Sequence, residues 1–419
     1  MDFNERNAAD LLAPLLEATP APPRVDLDEA MGTARRRRRV HRAAGGAGVI
    51  ATVAVVAVVV PLGINAMRTG AARIVSPAAG ASATTTLHPA APNAEPTSLS
   101  CSEHLLPVPD GVTMALVGGN GGDPTGRYLI GRSYPHGGNH EQPLIWDNGV
   151  PHKVPIKGDD ADLSAVSSNG TAVGESFSGE TQSAFIYRTG KVSKLGGLTN
   201  VGPVAVNNAG TVAGARNDHN TNLPIVWRTP SSPAMYLPLP GSKWRGSPDA
   251  VLDDGTIVGT VMPTFDSMTS QTIIWHADGT FRLLPQPTVP GVTGINGFWI
   301  GDVRGNVAFG RAVVNTKAGT AFYSIAQDLN SGVVTALGDP HFGLVAGNAN
   351  HWLVGMAAGV TSPVPALWTP STGIVKLPTL AKKTGIGDEA AYISDDGKVI
   401  AGQNTDKNGV IRAVVWRCH

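Results

Sequence analysis

AVSSNGTAVGESFSGETQSAFIYRTGKVSKLGGL, residues 165–198, is one full copy of a pattern that returns along most of the chain. An apolar run (AVS) leads into an Asn-Gly turn, whose glycine supplies the positive φ that a tight hairpin needs. A short strand ending in Gly174 follows, then a polar loop, then an alternating strand ending in Tyr187, another turn, and a last strand, KLGGL. Four short strands joined by tight turns make one antiparallel sheet.

The Gly-terminated strand recurs as RYLIG, TAVG, TVAG, TIVG, NVAFG, HWLVG and KVIAG, ending at Gly131, Gly174, Gly214, Gly259, Gly310, Gly355 and Gly402. The spacings are 43, 40, 45, 51, 45 and 47 residues, the period of four-stranded propeller blades. The expected fold is all-β: a seven-bladed β-propeller over residues 101–419. Its blades fall at about 114–158, 159–198, 199–241, 242–287, 288–340, 341–381 and 382–419. The fourth strand of each blade is read at VPI, KLGGL, YLPLP, LLPQP or KLPTL, an outer edge where proline costs no ladder bond.

Trp146, Tyr187, Trp227, Trp275, Trp368 and Trp416 end the third strand of six copies, once per blade, as blade-to-blade packing requires. The fifth and longest copy has TAFYSIAQ and no aromatic there, so a distorted blade is expected. The last copy stops at VVWRCH, and LLPVPDG at 105–111 supplies the missing strand, 105–109, from the other end. Cys101 and Cys418 then flank one hairpin end and are expected to be bonded, which an oxidising compartment permits.

Residues 165–198 resemble the HAF-type extracellular repeat of bacterial surface proteins, in which an Asn-Gly turn leads through V-x-G and A-F-x-W strands to a terminal L-G. Ser183 and Thr320 stand before the two Ala-Phe pairs, where that repeat has its histidine. The resemblance implies a propeller-like arrangement over about 105–418 and brings no catalytic residues with it.

Upstream, residues 1–42 are a head ending in Arg35–Arg39, Val40, His41 and Arg42. The next charge is Arg68, and the uncharged residues 43–67 between them are long enough to cross a bilayer as one helix. The arginines place the N-terminus in the cytoplasm and the C-terminal domain outside. A secretory signal cleaved near Ala81–Ala83 is the competing reading. The Ala/Pro/Ser/Thr-rich residues 68–100 read as a stalk. Leu11, Leu12, Leu15 and Leu16 share one face of a short helix, so residues 8–17 either dock a cytoplasmic regulator such as a sigma factor or serve topology alone.

The 419 residues carry 32 Lys+Arg against 32 Asp+Glu, which removes the basic footprint of a nucleic-acid binder. With 51 Gly, 15% charged residues and 2 Cys, coiled coils, charged disordered chains and four-cysteine zinc sites are excluded. No nucleophile elbow, phosphate loop or metal-protease motif occurs, and no metal or cofactor is expected. His136 and His140, in the second-to-third-strand loop of blade 1, and Asp218 and His219, in that loop of blade 3, are the candidate binding residues, since these loops surround one channel mouth. Asn169-Gly170-Thr171 fits a glycosylation acceptor but is read as the hairpin turn. The expected function is recognition of an envelope protein or glycan. Transmembrane signalling and a hydrolase or lyase at the mouth are the alternatives, and perturbed acids at the mouth would favour the enzyme.

Overall fold

The computed structural model describes residues 99–419, apart from 113, 136–140, 219–220, 265–268, 317–318, 338–341, 358–363 and 382–387. The span expected at 43–67, the head and almost all of the stalk lie outside the described residues. Among those described, no helix is long and apolar enough to cross a membrane.

Among the described residues twenty-eight strands form seven four-stranded antiparallel sheets. Strand a of the successive blades is Ala115–Gly122, Asp159–Val166, Val201–Val206, Arg245–Val251, Ile295–Arg304, Phe342–Gly347 and Glu389–Ile393. Each strand a touches the strands a of both neighbouring blades, and the last touches the first, so the ring is closed around an axis lined by these strands. One apolar cluster fills each of the seven blade interfaces. Strand b reads as an almost unbroken apolar run because both of its faces are covered by neighbouring blades.

The recurring glycine of strand b has a steric cause. In every blade strand a bulges opposite it. The bulge drives a carbonyl into the place of a side chain: a Cβ on Gly131, Gly310 or Gly355 would lie 2.0 Å from a strand a oxygen, and on Gly259, the roomiest, 2.5 Å.

The recurring aromatic has a polar cause as well as an apolar one. Trp146, Trp227, Trp275 and Trp416 are fully buried. Their indole N–H groups donate to the carbonyls of Pro107, Gly196, Pro238 and Pro378 at 2.7–2.9 Å. Each acceptor directly follows a buried leucine (Leu106, Leu195, Leu237, Leu377) on the preceding blade. The fifth blade, expected to be distorted, has the longest strands of the ring and a second irregularity between Ile295 and Gly297. It keeps all four strands, and Gln327 occupies the aromatic position. Its amide donates to Pro285 O at 3.3 Å, the counterpart of the carbonyl that the indoles reach, and accepts from Thr272 Oγ1 at 2.6 Å.

The ring closes through the chain ends, but four residues earlier than expected. Cys101–Leu105, not 105–109, pairs with 414–418 in the order d-c-b-a of the last blade. The other outer strands shift likewise: Val150–Lys153 precedes VPI, and Gly373–Lys376 precedes the leucine of KLPTL. The Leu-Pro step leaves the sheet because its leucine is drawn into the blade interface and its proline has no N–H to continue the ladder. Cys101 and Cys418 are directly paired and disulfide-bonded.

Candidate functional site

The two ends of the channel differ. At the a–b turn end, neighbouring blades are laced together: Asn169 Nδ2 donates to Asn208 O at 2.8 Å, Asn208 Nδ2 to Asp253 Oδ2 at 3.0 Å, and Asn348 Nδ2 to Ser394 O at 3.1 Å. The atom a glycan would modify on Asn169 is thus spent on an interblade bond. Arg304 closes this end further. From the fifth blade it pairs with Asp302 at 3.2 Å, donates to Gly347 O of the sixth at 3.3 Å, and reaches past that blade to Asp395 of the seventh at 3.7 Å. Its guanidinium lies 5.9 Å from the Tyr392 ring, and the Tyr392 hydroxyl donates to Asp123 O in the first blade. Burial opposes the charge on Arg304, but Asp302, Tyr392 and Asp395 outweigh it and hold its pKa up. Buried, paired charge that spans four blades reads as a fastening.

The other end is lined differently in each blade. The residue just before the strand a position that faces the recurring glycine is Leu116, Asp162, Gly202, Ser247, Trp299, Gly343 and Glu389 in blades 1 to 7. Opposite them on strand b, directly after the glycine, stand Arg132, Glu175, Ala215, Thr260, Arg311, Met356 and Gln403.

Several of these groups are ionisable and poorly compensated. Arg132 Nη1 meets Asp162 Oδ2 at 2.9 Å across the first blade interface, and burial still raises the Asp162 pKa. Glu175 Oε2 accepts from Gln182 Nε2 at 2.7 Å, and Asn217 of the next blade donates to Gln182 Oε1 at 2.7 Å. Burial pushes Glu175 up to about 7 despite that bond. Gly202 of the next blade leaves room for this pair, since a Cβ there would lie 2.5 Å from the Glu175 carboxylate and displace it. Asp249, the bulge residue of the fourth strand a, accepts from Thr260 Oγ1 at 2.8 Å and is likewise pushed up to about 7 by burial. Glu389 is pushed up to about 7 by burial alone. Arg311 has its pKa lowered by burial.

Of the sequence-based candidates, Asp218 alone lies among the described residues. His136, His140 and His219 lie outside the described residues. Asp218 ends the strand Val212–Asp218, its backbone paired with Thr221. The residues that line the channel instead carried a legible mark, for each strand b member directly follows a recurring glycine. Among the described residues no group of three or more His, Cys, Asp or Glu side chains is arranged to hold a metal ion.

Fold and closure define the class: a seven-bladed β-propeller fastened by its terminal strands and a disulfide. No family model matches the chain, and no curated protein matches it in sequence. Solved structures match in fold. An oligogalacturonate lyase from Vibrio parahaemolyticus gives a TM-score of 0.52 at 12% identity, over 76% of this chain and 97% of that one. A prolyl endopeptidase gives 0.51 at 12% identity, over 73% of this chain and 47% of its own. The β-propeller domain of the trilobed protease from Pyrococcus furiosus gives 0.49 at 11% identity, over 73% and 94%. At such identities the likeness is one of fold alone.

Proposed function

We propose that this chain is a membrane-anchored recognition module of the bacterial HAF-repeat type. Residues 43–67 hold it in the bilayer with the N-terminus inside, 68–100 form the stalk, and the propeller binds an envelope glycan or protein at its loop-bearing end. One observation carries the proposal: the packing positions repeat around the ring while the channel-lining positions do not. Buried, uncompensated charge at those positions lowers stability, so the fold alone does not account for it. The opposite end is laced by interblade hydrogen bonds and by the Arg304 contacts. The disulfide fits an oxidising compartment outside the membrane.

The test is capture of envelope fractions by the full chain in detergent. Glu389→Gln and Asp249→Asn are expected to weaken capture without lowering the melting temperature. Capture indifferent to every channel substitution would sink the proposal.

A second reading, a hydrolase or lyase at the same mouth, is favoured by three carboxyls pushed up to about 7 on three different blades. It requires turnover of captured glycan, detected as new reducing or unsaturated ends.

A further inference from the structure

Arg132 and Arg311 occupy the same position of the blade, each directly after the recurring glycine of strand b, Gly131 and Gly310. Among the described residues only the first is answered by a carboxylate. Arg132 pairs with Asp162, the residue just before Leu163, which faces Gly174 on the next blade. In the blade after Arg311 the counterpart of Asp162 precedes Leu344, which faces Gly355, and it is Gly343. Among the described residues no ion pair or hydrogen bond reaches Arg311; its guanidinium rests 5.6 Å from the Phe322 ring centroid.

The site of the missing carboxylate is open. A Cβ on Gly343 would find nothing nearer than Met356 O at 3.6 Å, an ordinary contact, and its backbone is not left-handed. Trp299, directly across from Arg311 on strand a, is 49% exposed, and Phe322, on the same face of strand c, is 37% exposed. Their rings lie 5.6 Å apart at 47°, so the wall they form is apolar but too tilted to sandwich a flat ring. All three belong to the blade whose first three strands run to ten residues each, the longest of the ring.

A half-buried guanidinium with no counter-ion among the described residues, beside an exposed indole face, matches a ligand that brings its own carboxylate on a ring with an apolar C–H face. Arginine presents a planar fork that a carboxylate fits with two parallel hydrogen bonds. We propose that Arg311 and Trp299 form a subsite for a uronic-acid unit of an acidic polysaccharide. Its carboxylate takes the place before Arg311 that the Asp162 side chain takes before Arg132, and its ring lies on Trp299. This rests on the loop-bearing end being a recognition surface, and names the chemistry recognised there.

The test is calorimetric titration of the full chain in detergent with a glucuronic acid trisaccharide, a glucose trisaccharide of the same linkage, and benzoate. Saturable binding of the uronate alone is expected. Arg311→Gln should weaken it roughly 20-fold or more, as loss of a charge-assisted pair does, and Trp299→Leu should weaken it roughly 5-fold by removing the aromatic face under the ring. Gly343→Asp supplies the carboxylate internally, so it should abolish uronate binding while leaving the melting temperature unchanged or raised. Equal binding of the neutral trisaccharide, displacement of the uronate by benzoate, or uronate binding indifferent to Gly343→Asp would each overturn the proposal. Absence of uronate binding in a chain that still captures envelope material would overturn the subsite and leave recognition standing. Absence of both would overturn recognition as well.

Discussion

Asp249→Asn measures what the channel charges cost the fold. The carboxylate of Asp249 meets one hydroxyl, Thr260 Oγ1, and no cation among the described residues. Burial raises its pKa from 3.8 to about 7. Three pH units at about 1.4 kcal/mol each place roughly 4 kcal/mol on the charged form. Asp249 keeps some exposure to the channel, and screening by water there trims this to about 2–4 kcal/mol. Below about pH 4 the group is protonated folded and unfolded, and costs nothing. Between about pH 4 and pH 7 the folded chain binds the extra proton, so stability falls as pH rises, and above about pH 7 the whole cost is present. Asparagine keeps an acceptor for Thr260 and carries no charge. The variant should therefore melt with the wild type at about pH 4 and above it at about pH 8, by roughly 3–6 °C for a folded domain of this length. Calorimetry of the full chain under non-reducing conditions reads this directly. A difference in melting temperature equal at both pH values would refute the reasoning.

The remaining expectations concern the ring itself. Cys101→Ser with Cys418→Ser opens a loop of sequence separation 317, a loss of up to about 5–6 kcal/mol in chain-entropy terms, seen as a lower melting temperature that reductant no longer changes. Gly355→Ala puts a methyl 2.0 Å from Gly343 O and should prevent folding or cost more than about 3 kcal/mol, whereas Gly149→Ala, in an open turn at φ 80°, should cost about 1 kcal/mol; urea midpoints compare them. Gln327→Leu strands Thr272 Oγ1 and Pro285 O and should cost about 1–3 kcal/mol, while Gln327→Asn should cost at least as much because the shorter amide cannot span both partners.

The ring was legible because its cause is periodic. A glycine that faces a bulge carbonyl and an aromatic that reaches over a blade interface recur once per blade, and both stand out in a single sequence. The outer strands were misplaced by one to four residues because Leu-Pro, the commonest visible marker, is what leaves the sheet; the strands themselves, such as Met235–Tyr236 and Cys101–Leu105, carry no common residue. Gln327 escaped notice since an amide that mimics an indole N–H shares no apolar signature with it. The channel residues escaped for the opposite reason to the ring. Asp162, Asp249, Trp299 and Glu389 are each single occurrences, and only the register that aligns seven bulges shows that they stand at related points around one axis.

Recognition at the open end of the channel is tested most directly by where a captured ligand touches the chain. A photoreactive phenylalanine analogue replaces either Trp299 on the inner strand or Val333, 63% exposed near the outer edge of the same blade. Each full-length variant is then irradiated with envelope fractions. Adducts from position 299 and none from position 333 are expected. Adducts from 333 alone, or equally from both, would contradict binding in the channel.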